Sequence, residues 1–114
     1  MNDDQTLLHA GHRIALDGDG HLSDPSDWSR GVAEALAEAD GMALGPDHWW
    51  VIDFVRAHHQ RYGNPPLMRV LISAFRTERA DHSLSSRDLY RLFDENPVRQ
   101  ACRLGGYPKP DWCI

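Results

Sequence analysis

Apolar positions fall into short blocks whose spacing changes once along the chain. Leu7-Leu8 and Ile14-Ala15-Leu16 flank the turn signal Ala10-Gly11, which predicts a β-hairpin within residues 7–22. Asp17-Gly18-Asp19-Gly20 reads as a second turn, followed by a short third strand at His21-Leu22. From there the spacing becomes helical. Asp24-Pro25-Ser26 opens a first helix, with Ser23 or Asp24 as cap and Pro25 in the first turn. Trp28, Val32, Ala35, Leu36 and Ala39 form its apolar face, and Gly41 ends it.

A second helix starts at Pro46, with Asp47 in its first turn. Trp49, Ile52, Val55 and His59 lie along one stripe, and Tyr62-Gly63-Asn64-Pro65 stops it. Pro66 begins a third, with Leu67, Val70, Leu71, Ala74 and Phe75 on one face; Thr77 to Ser85 reads as a polar loop. Ser85-Ser86 caps a fourth helix anchored by Leu89, Tyr90, Leu92 and Phe93. Asn96-Pro97 opens a short fifth one through Leu104, ended by Gly105-Gly106. The expectation is a mainly α (α+β) fold: a compact bundle of about five helices with an N-terminal β-hairpin. Residues 1–104 form the domain and 105–114 a flexible C-terminal arm of it.

The 114 residues suit one domain large enough to bury a core without staples. The start, Met1 to Thr6, is acidic and polar and lacks the pattern of a signal peptide. The longest apolar stretch, Trp49 to Val55, is interrupted by Asp53 and too short to span a bilayer. These features lead us to expect a cytoplasmic protein without membrane insertion.

The net charge of -5 conceals an asymmetry. Residues 1–60 carry three Arg against eleven acids, and residues 61–114 carry eight Arg and one Lys against six acids. The basic half is also the half that holds both cysteines. Such a split can create an anion-attracting face, or both halves can simply be solvated surface.

The seven histidines raise the question of a metal. His9, His12 and His21 cluster near the hairpin, but no His-Glu-x-x-His or Cys-x-x-Cys spacing accompanies them. His58 and His59 are adjacent on a helix, so they point to different faces and chelate poorly. Surface placement is the expectation for most of these histidines, and no metal site is expected. Nor is there a nucleophile elbow, a phosphate-cradling loop or a dinucleotide-binding glycine motif.

The chemistry is therefore sought in the tail, Cys102 to Ile114. The chain's two cysteines, Cys102 and Cys113, both lie in its last thirteen residues, where a bridge would constrain little of the fold. Cys102 sits on the last helix. Gly105-Gly106 is a hinge, and Pro108 and Pro110 favour an extended segment that can reach roughly 30 Å from Gly105 to Cys113, at about 3.3–3.6 Å per residue. Arg99, Arg103 and Lys109 lie near the thiols in sequence; cationic neighbours raise the thiolate fraction, and the thiolate is the nucleophile. Taken alone, Cys102 on a helix reads more readily as a small buried core residue than as a reactive thiol. An exposed penultimate cysteine is harder to explain without a use.

These residues resemble a known family. Leu89-Tyr90-Arg91-Leu92-Phe93, Pro97, Gln100-Ala101-Cys102, Gly106, Pro108-Lys109-Pro110 and Cys113 follow the signature of the DsrC/TusE sulfur carriers. Upstream, Gly20-His21-Leu22, Asp27-Trp28, His48-Trp49, Val55-Arg56, Pro66 and Arg69-Val70-Leu71 match in order and spacing. The resemblance implies a hairpin, a helical bundle and a flexible C-terminal arm whose penultimate cysteine, here Cys113, accepts sulfane sulfur as a persulfide. It implies Cys102 as a resolving partner that can form a disulfide or trisulfide, a sulfurtransferase as donor, and sulfite reductase or another sulfur-metabolism enzyme as acceptor. Thiol exchange of this kind needs no cofactor.

Carriers for tRNA 2-thiouridine synthesis commonly have the penultimate cysteine alone, so the pair here favours a DsrC-like co-substrate of dissimilatory sulfur metabolism. A TusE-like relay is the alternative; a nucleic-acid-binding regulator or a thiol switch without sulfur transfer are further ones. The chain departs from the family pattern at Asp94-Glu95-Asn96, at Ser73, in the loop Arg76 to Ser86 and at Trp112. Such changes bear on the choice of partner.

Overall fold

A computed structural model describes residues 5–111; Trp112, Cys113 and Ile114 lie outside the described residues. Two antiparallel strands, β1 (Gln5–His9) and β2 (His12–Leu16), pair with Leu7 opposite Ile14. Five helices follow: α1 (Arg30–Ala39), α2 (Pro46–Tyr62), α3 (Met68–Arg79), α4 (Ser86–Phe93) and α5 (Pro97–Leu104). The predicted hairpin and five-helix bundle are therefore what the chain forms. In the two-residue turn, Ala10 and Gly11 both have positive φ, as a tight hairpin's twist demands. The expected third strand reduces to a single bridge between Leu16 and Leu22.

Three element boundaries differ from expectation: α1 starts at Arg30, and α3 starts at Met68 and not Pro66 and runs through Arg79. The first helix does not run from Pro25. Asp24 caps one short 3-10 turn, Pro25–Asp27, by accepting from the Ser26 N–H; Trp28 is then extended, and Ser29 caps α1 by accepting from Val32. A continuous helix would carry the Trp28 indole around its axis. The break leaves it facing the C-terminal end of α5. The stretch beginning at Thr77 is helical through Arg79, with Ala80 in the left-handed conformation closing α3. Arg76 then donates to the Leu84 carbonyl and ties the following loop to α3.

The core is one cluster built from Val32 and Leu36 of α1, Val51, Ile52 and Val55 of α2, Leu71 and Phe75 of α3, Leu89 and Phe93 of α4, and Val98, Ala101 and Leu104 of α5. Ile14 and Leu16 bring β2 onto it, while the alternate residues Arg13 and Ala15 are exposed, as the period of two requires. Helix α5 packs against α1, α2 and α4. All its residues are buried except the half-exposed Arg99 and Arg103. A Pro at its first position and Asn96, whose side chain accepts from the N–H groups of Val98 and Arg99, start it without a frayed turn. Asp94, in the left-handed conformation, closes α4 just before. The sequence Asp94-Glu95-Asn96 thus builds the α4–α5 corner from a tolerated left-handed Asp and an N-cap.

Candidate functional site

The site is the end of α5 and the segment that leaves it. Cys102 is fully buried on α5, with relative exposure 0%. Cys113, the predicted sulfur-accepting residue, lies outside the described residues. What the structure describes is the ground between them.

That ground is a turn held from three directions. The Trp28 indole N–H donates to the Leu104 carbonyl at 2.7 Å. Arg56, from α2, donates to the Gly105 carbonyl at 2.5 Å. His21, from the loop after β2, donates through Nδ1 to the Tyr107 carbonyl at 2.8 Å. Within the segment, the Gly105 N–H bonds to Ala101 and the Tyr107 N–H bonds back to the Cys102 carbonyl at 2.9 Å. Stacking adds to this: the Arg56 guanidinium lies 3.6 Å from the Trp28 ring centroid and 5.5 Å from that of Tyr107, and the His59 ring stacks on Tyr107 at 4.0 Å.

Gly105 and Gly106 are accordingly not the free hinge that two consecutive glycines suggest. Both are buried. Gly106 has φ +85°, and a Cβ there would meet the Trp28 side chain at 2.7 Å; one on Gly105 would meet the Ala101 carbonyl at 2.7 Å. The glycines are required because helix and indole approach the backbone too closely for a side chain. Beyond the turn, Pro108 is exposed, Lys109 half-buried and Pro110 buried.

Of the predicted electrostatic residues, Arg103 and Lys109 have acidic partners. Arg103 donates through Nε to the Gly20 carbonyl and forms an ion pair with Asp40. Lys109 stands 3.9 Å from Asp19. Arg99 and Arg103 line a cleft of about 660 Å³ with the carboxylates of Asp19, Asp40, Asp94 and Glu95. Four acids against two guanidiniums do not make an anion-attracting surface there. The basic character of the second half is locally neutralised by acids that the fold brings in, two of them from the acidic half.

The histidines also divide. His48 bonds to Gly45 N–H and to the Leu92 carbonyl, and His58 to the Asn64 carbonyl. His21, grouped by sequence with surface histidines, is instead completely buried. Donation from Nδ1 fixes the neutral tautomer with the proton on that nitrogen, leaving Nε2 buried without a protein hydrogen-bond partner. Burial holds its pKa below the ordinary 6.5, outweighing the opposing bond to Tyr107 and the nearby Asp17 carboxylate.

Sequence reading on chemical grounds alone missed Trp28, Arg56, His21 and Tyr107 as a unit. The first three fall within the segments that matched in order and spacing, which was the one available signal. Their convergence on the carbonyls of Leu104, Gly105 and Tyr107, in a turn more than forty residues away, is tertiary.

Comparison with known proteins bears on the family and the fold. Residues 8–114 match the family described as DsrC like protein. The sulfurtransferase TusE of Escherichia coli O6:H1 is 39% identical over 108 residues, covering 95% of this chain and 99% of that protein. TusE of Yersinia pestis is 40% identical with the same coverage. Among solved structures, oxidised DsrC of Archaeoglobus fulgidus, the gamma-subunit of dissimilatory sulfite reductase, superimposes with TM-score 0.86 at 33% identity, covering 96% of this chain and all of that one. The solution structure of Allochromatium vinosum DsrC gives TM-score 0.83 at 37% identity over 97% of this chain and 99% of that one. The chain belongs to the DsrC-like protein family.

Proposed function

We propose that this protein is a sulfur-relay carrier that accepts sulfane sulfur on Cys113 and passes it to another thiol. The observation that carries this reading is near full-length similarity to proteins named sulfurtransferase TusE, in a chain whose penultimate residue is a cysteine. Loading is an exchange: the Cys113 thiolate attacks the outer sulfur of a donor persulfide, an S–S bond breaks, and the donor leaves as its thiolate while Cys113 becomes the persulfide. Delivery repeats the step on an acceptor thiol. Neither step changes the net oxidation state or calls for a cofactor.

The names of the relatives favour a TusE-like relay, of the kind that serves tRNA 2-thiouridine synthesis, over the DsrC-like co-substrate that the two cysteines first suggest. The co-substrate reading keeps one specific support: Cys102 is buried at the root of the segment that carries Cys113, and the oxidised DsrC of Archaeoglobus fulgidus shares the fold. In that reading the Cys102 thiolate attacks the inner sulfur of the Cys113 persulfide, forming the Cys102–Cys113 disulfide and expelling hydrosulfide.

A nucleic-acid role is disfavoured because α5, the second helix of the α4–α5 pair, turns nearly all its residues into the core. Among the described residues no helix is long and apolar enough to cross a membrane.

Incubation with a sulfurtransferase donor followed by mass spectrometry tests the proposal. A gain of one sulfur atom on Cys113, lost in Cys113→Ser and kept in Cys102→Ser, is expected. A wild-type chain that stays unloaded in the presence of a competent donor overturns it. Transfer onward to a tRNA-thiolation acceptor, against release of hydrosulfide with bridging to Cys102, separates the two readings.

A further inference from the structure

We propose that the cleft where the loop after β2, the end of α1 and the α4–α5 corner meet is a binding site for a primary alkylammonium group, which donates to Gln100 Oε1 and His21 Nε2 at its floor. The inference does not depend on the sulfur-relay reading.

The first support is a pair of buried acceptors on one cleft. Gln100 is 8% exposed; its amide nitrogen donates to Glu95 at 2.7 Å, and its Oε1 is left buried without a hydrogen-bond partner among the described residues. His21 Nε2 is in the same condition, since the ring's proton on Nδ1 is engaged by the Tyr107 carbonyl. Both residues line the same cleft of about 660 Å³. Buried acceptors in folded proteins are nearly always satisfied, so each of these calls for a donor. No unpaired buried side-chain donor accompanies them among the described residues. A ligand that donates several times and accepts nothing answers both, and an ammonium is such a group.

The second support is charge. Asp19, Asp40, Asp94 and Glu95 line the cleft against Arg99 and Arg103. Arg103 is taken up by Asp40 and the Gly20 carbonyl, and Lys109 stands 3.9 Å from Asp19. With Lys109 counted, four carboxylates still exceed three cations. Burial keeps His21 neutral by lowering its pKa, so it adds no repelling charge and keeps the Nε2 lone pair. Among the described residues no three His, Cys, Asp or Glu side chains are grouped to hold a metal ion. Neither acceptor is open to solvent, so the donor has to be slim and to enter as lining side chains yield. An unbranched alkylammonium meets that condition, with Met42, Leu92 and Phe93 offering an apolar wall for its methylenes.

The test is a titration of the isotope-labelled full chain with putrescine, followed by nitrogen NMR of the His21 ring and the Gln100 side chain. Saturable shifts at both are expected. A parallel titration with the amide of Nα-acetyl-lysine separates the two sources of the group: tighter binding of putrescine assigns the site to a free amine, and tighter binding of the lysine derivative assigns it to a partner's side chain. Gln100→Leu is expected to weaken binding about tenfold or more, as for a hydrogen bond to a charged group. If that variant does not fold, Asp94→Asn, which keeps a side chain tolerant of the left-handed conformation, is expected to weaken it about 1.4- to 5-fold. Absence of saturable shifts with either amine overturns the proposal. So does binding that moves neither His21 nor Gln100, binding unchanged in the folded variants, or equal binding of the diol that replaces both amines of putrescine by hydroxyls.

Discussion

The Trp28 indole lies against the Cα of Gly106, so that a Cβ built on that glycine would stand 2.7 Å from both Cβ and Cδ1 of Trp28. The same indole donates to the Leu104 carbonyl two residues earlier, and the Arg56 guanidinium lies over its ring, 3.6 Å from the centroid. One aromatic side chain thereby combines a hydrogen bond, a close packing contact and a cation stack where the backbone leaves α5.

Gly106→Ala tests that relationship. The alanine meets both the Trp28 contact and an unfavourable φ of +85°. A left-handed non-glycine residue costs about 1–2 kcal/mol and overpacking about 1–3 kcal/mol. Urea denaturation is expected to show a loss of about 2–4 kcal/mol. A loss below about 1 kcal/mol would mean that the indole moves aside freely.

Arg56→Met removes the donor to Gly105, whose carbonyl lies in a buried residue. Leaving a buried acceptor unpaired costs about 1–3 kcal/mol, and loss of the stacked cation about 0.5–2 kcal/mol. The expected destabilisation is about 2–4 kcal/mol. A double-mutant cycle with Trp28→Phe is expected to show coupling above about 0.5 kcal/mol, since the two residues are in contact.

His21 makes stability depend on pH. Its folded pKa is held below 6.5 chiefly by burial. Between the folded and unfolded values the unfolded chain binds more protons, so stability rises with pH in that window. This contribution is complete above about pH 6.5 and is lost as pH falls toward the lowered folded value. Thermal melts are expected to show a slope below pH 6.5 that flattens in His21→Gln, which keeps a donor for Tyr107 without titrating. An unchanged slope in that variant would remove His21 as its source.

Cys102 is shielded by the core, so its accessibility is a measure of opening. In a Cys113→Ser background, alkylation of Cys102 by iodoacetamide is expected to be slower than that of the denatured chain by about 100-fold or more, given the several kcal/mol that separate core groups from solvent. Loosening the turn with Arg56→Met is expected to speed it.

Ala80 closes α3 with φ +51°. Glycine adopts this conformation without the Cβ penalty, so Ala80→Gly is expected to stabilise the chain by about 0.5–1 kcal/mol in denaturant titrations.

Most of the architecture was legible locally. The period-two block around Ile14 and Leu16, the caps at Ser85 and Asn96, and the prolines at Pro46 and Pro97 specify where elements start without reference to anything distant. Where reading went astray, the deciding contact was remote. Trp28 has helical spacing relative to Val32, yet it is extended, because its indole is used 76 residues away. Gly105-Gly106 has the composition of a hinge, yet it is packed, because Trp28 and Arg56 occupy the space that side chains would have needed.

The C-terminal segment shows the same division. By itself, the sequence determined that two cysteines stand at the chain end, one on a helix and one penultimate, with a Pro-rich stretch between, since covalent order and proline's fixed φ are local properties. Only the tertiary structure decided where that segment begins, that Arg103 serves Asp40 and Gly20, and that His21 is buried beneath Tyr107. Burial and hydrogen-bond partners depend on which distant residues share a site, and no local pattern encodes that.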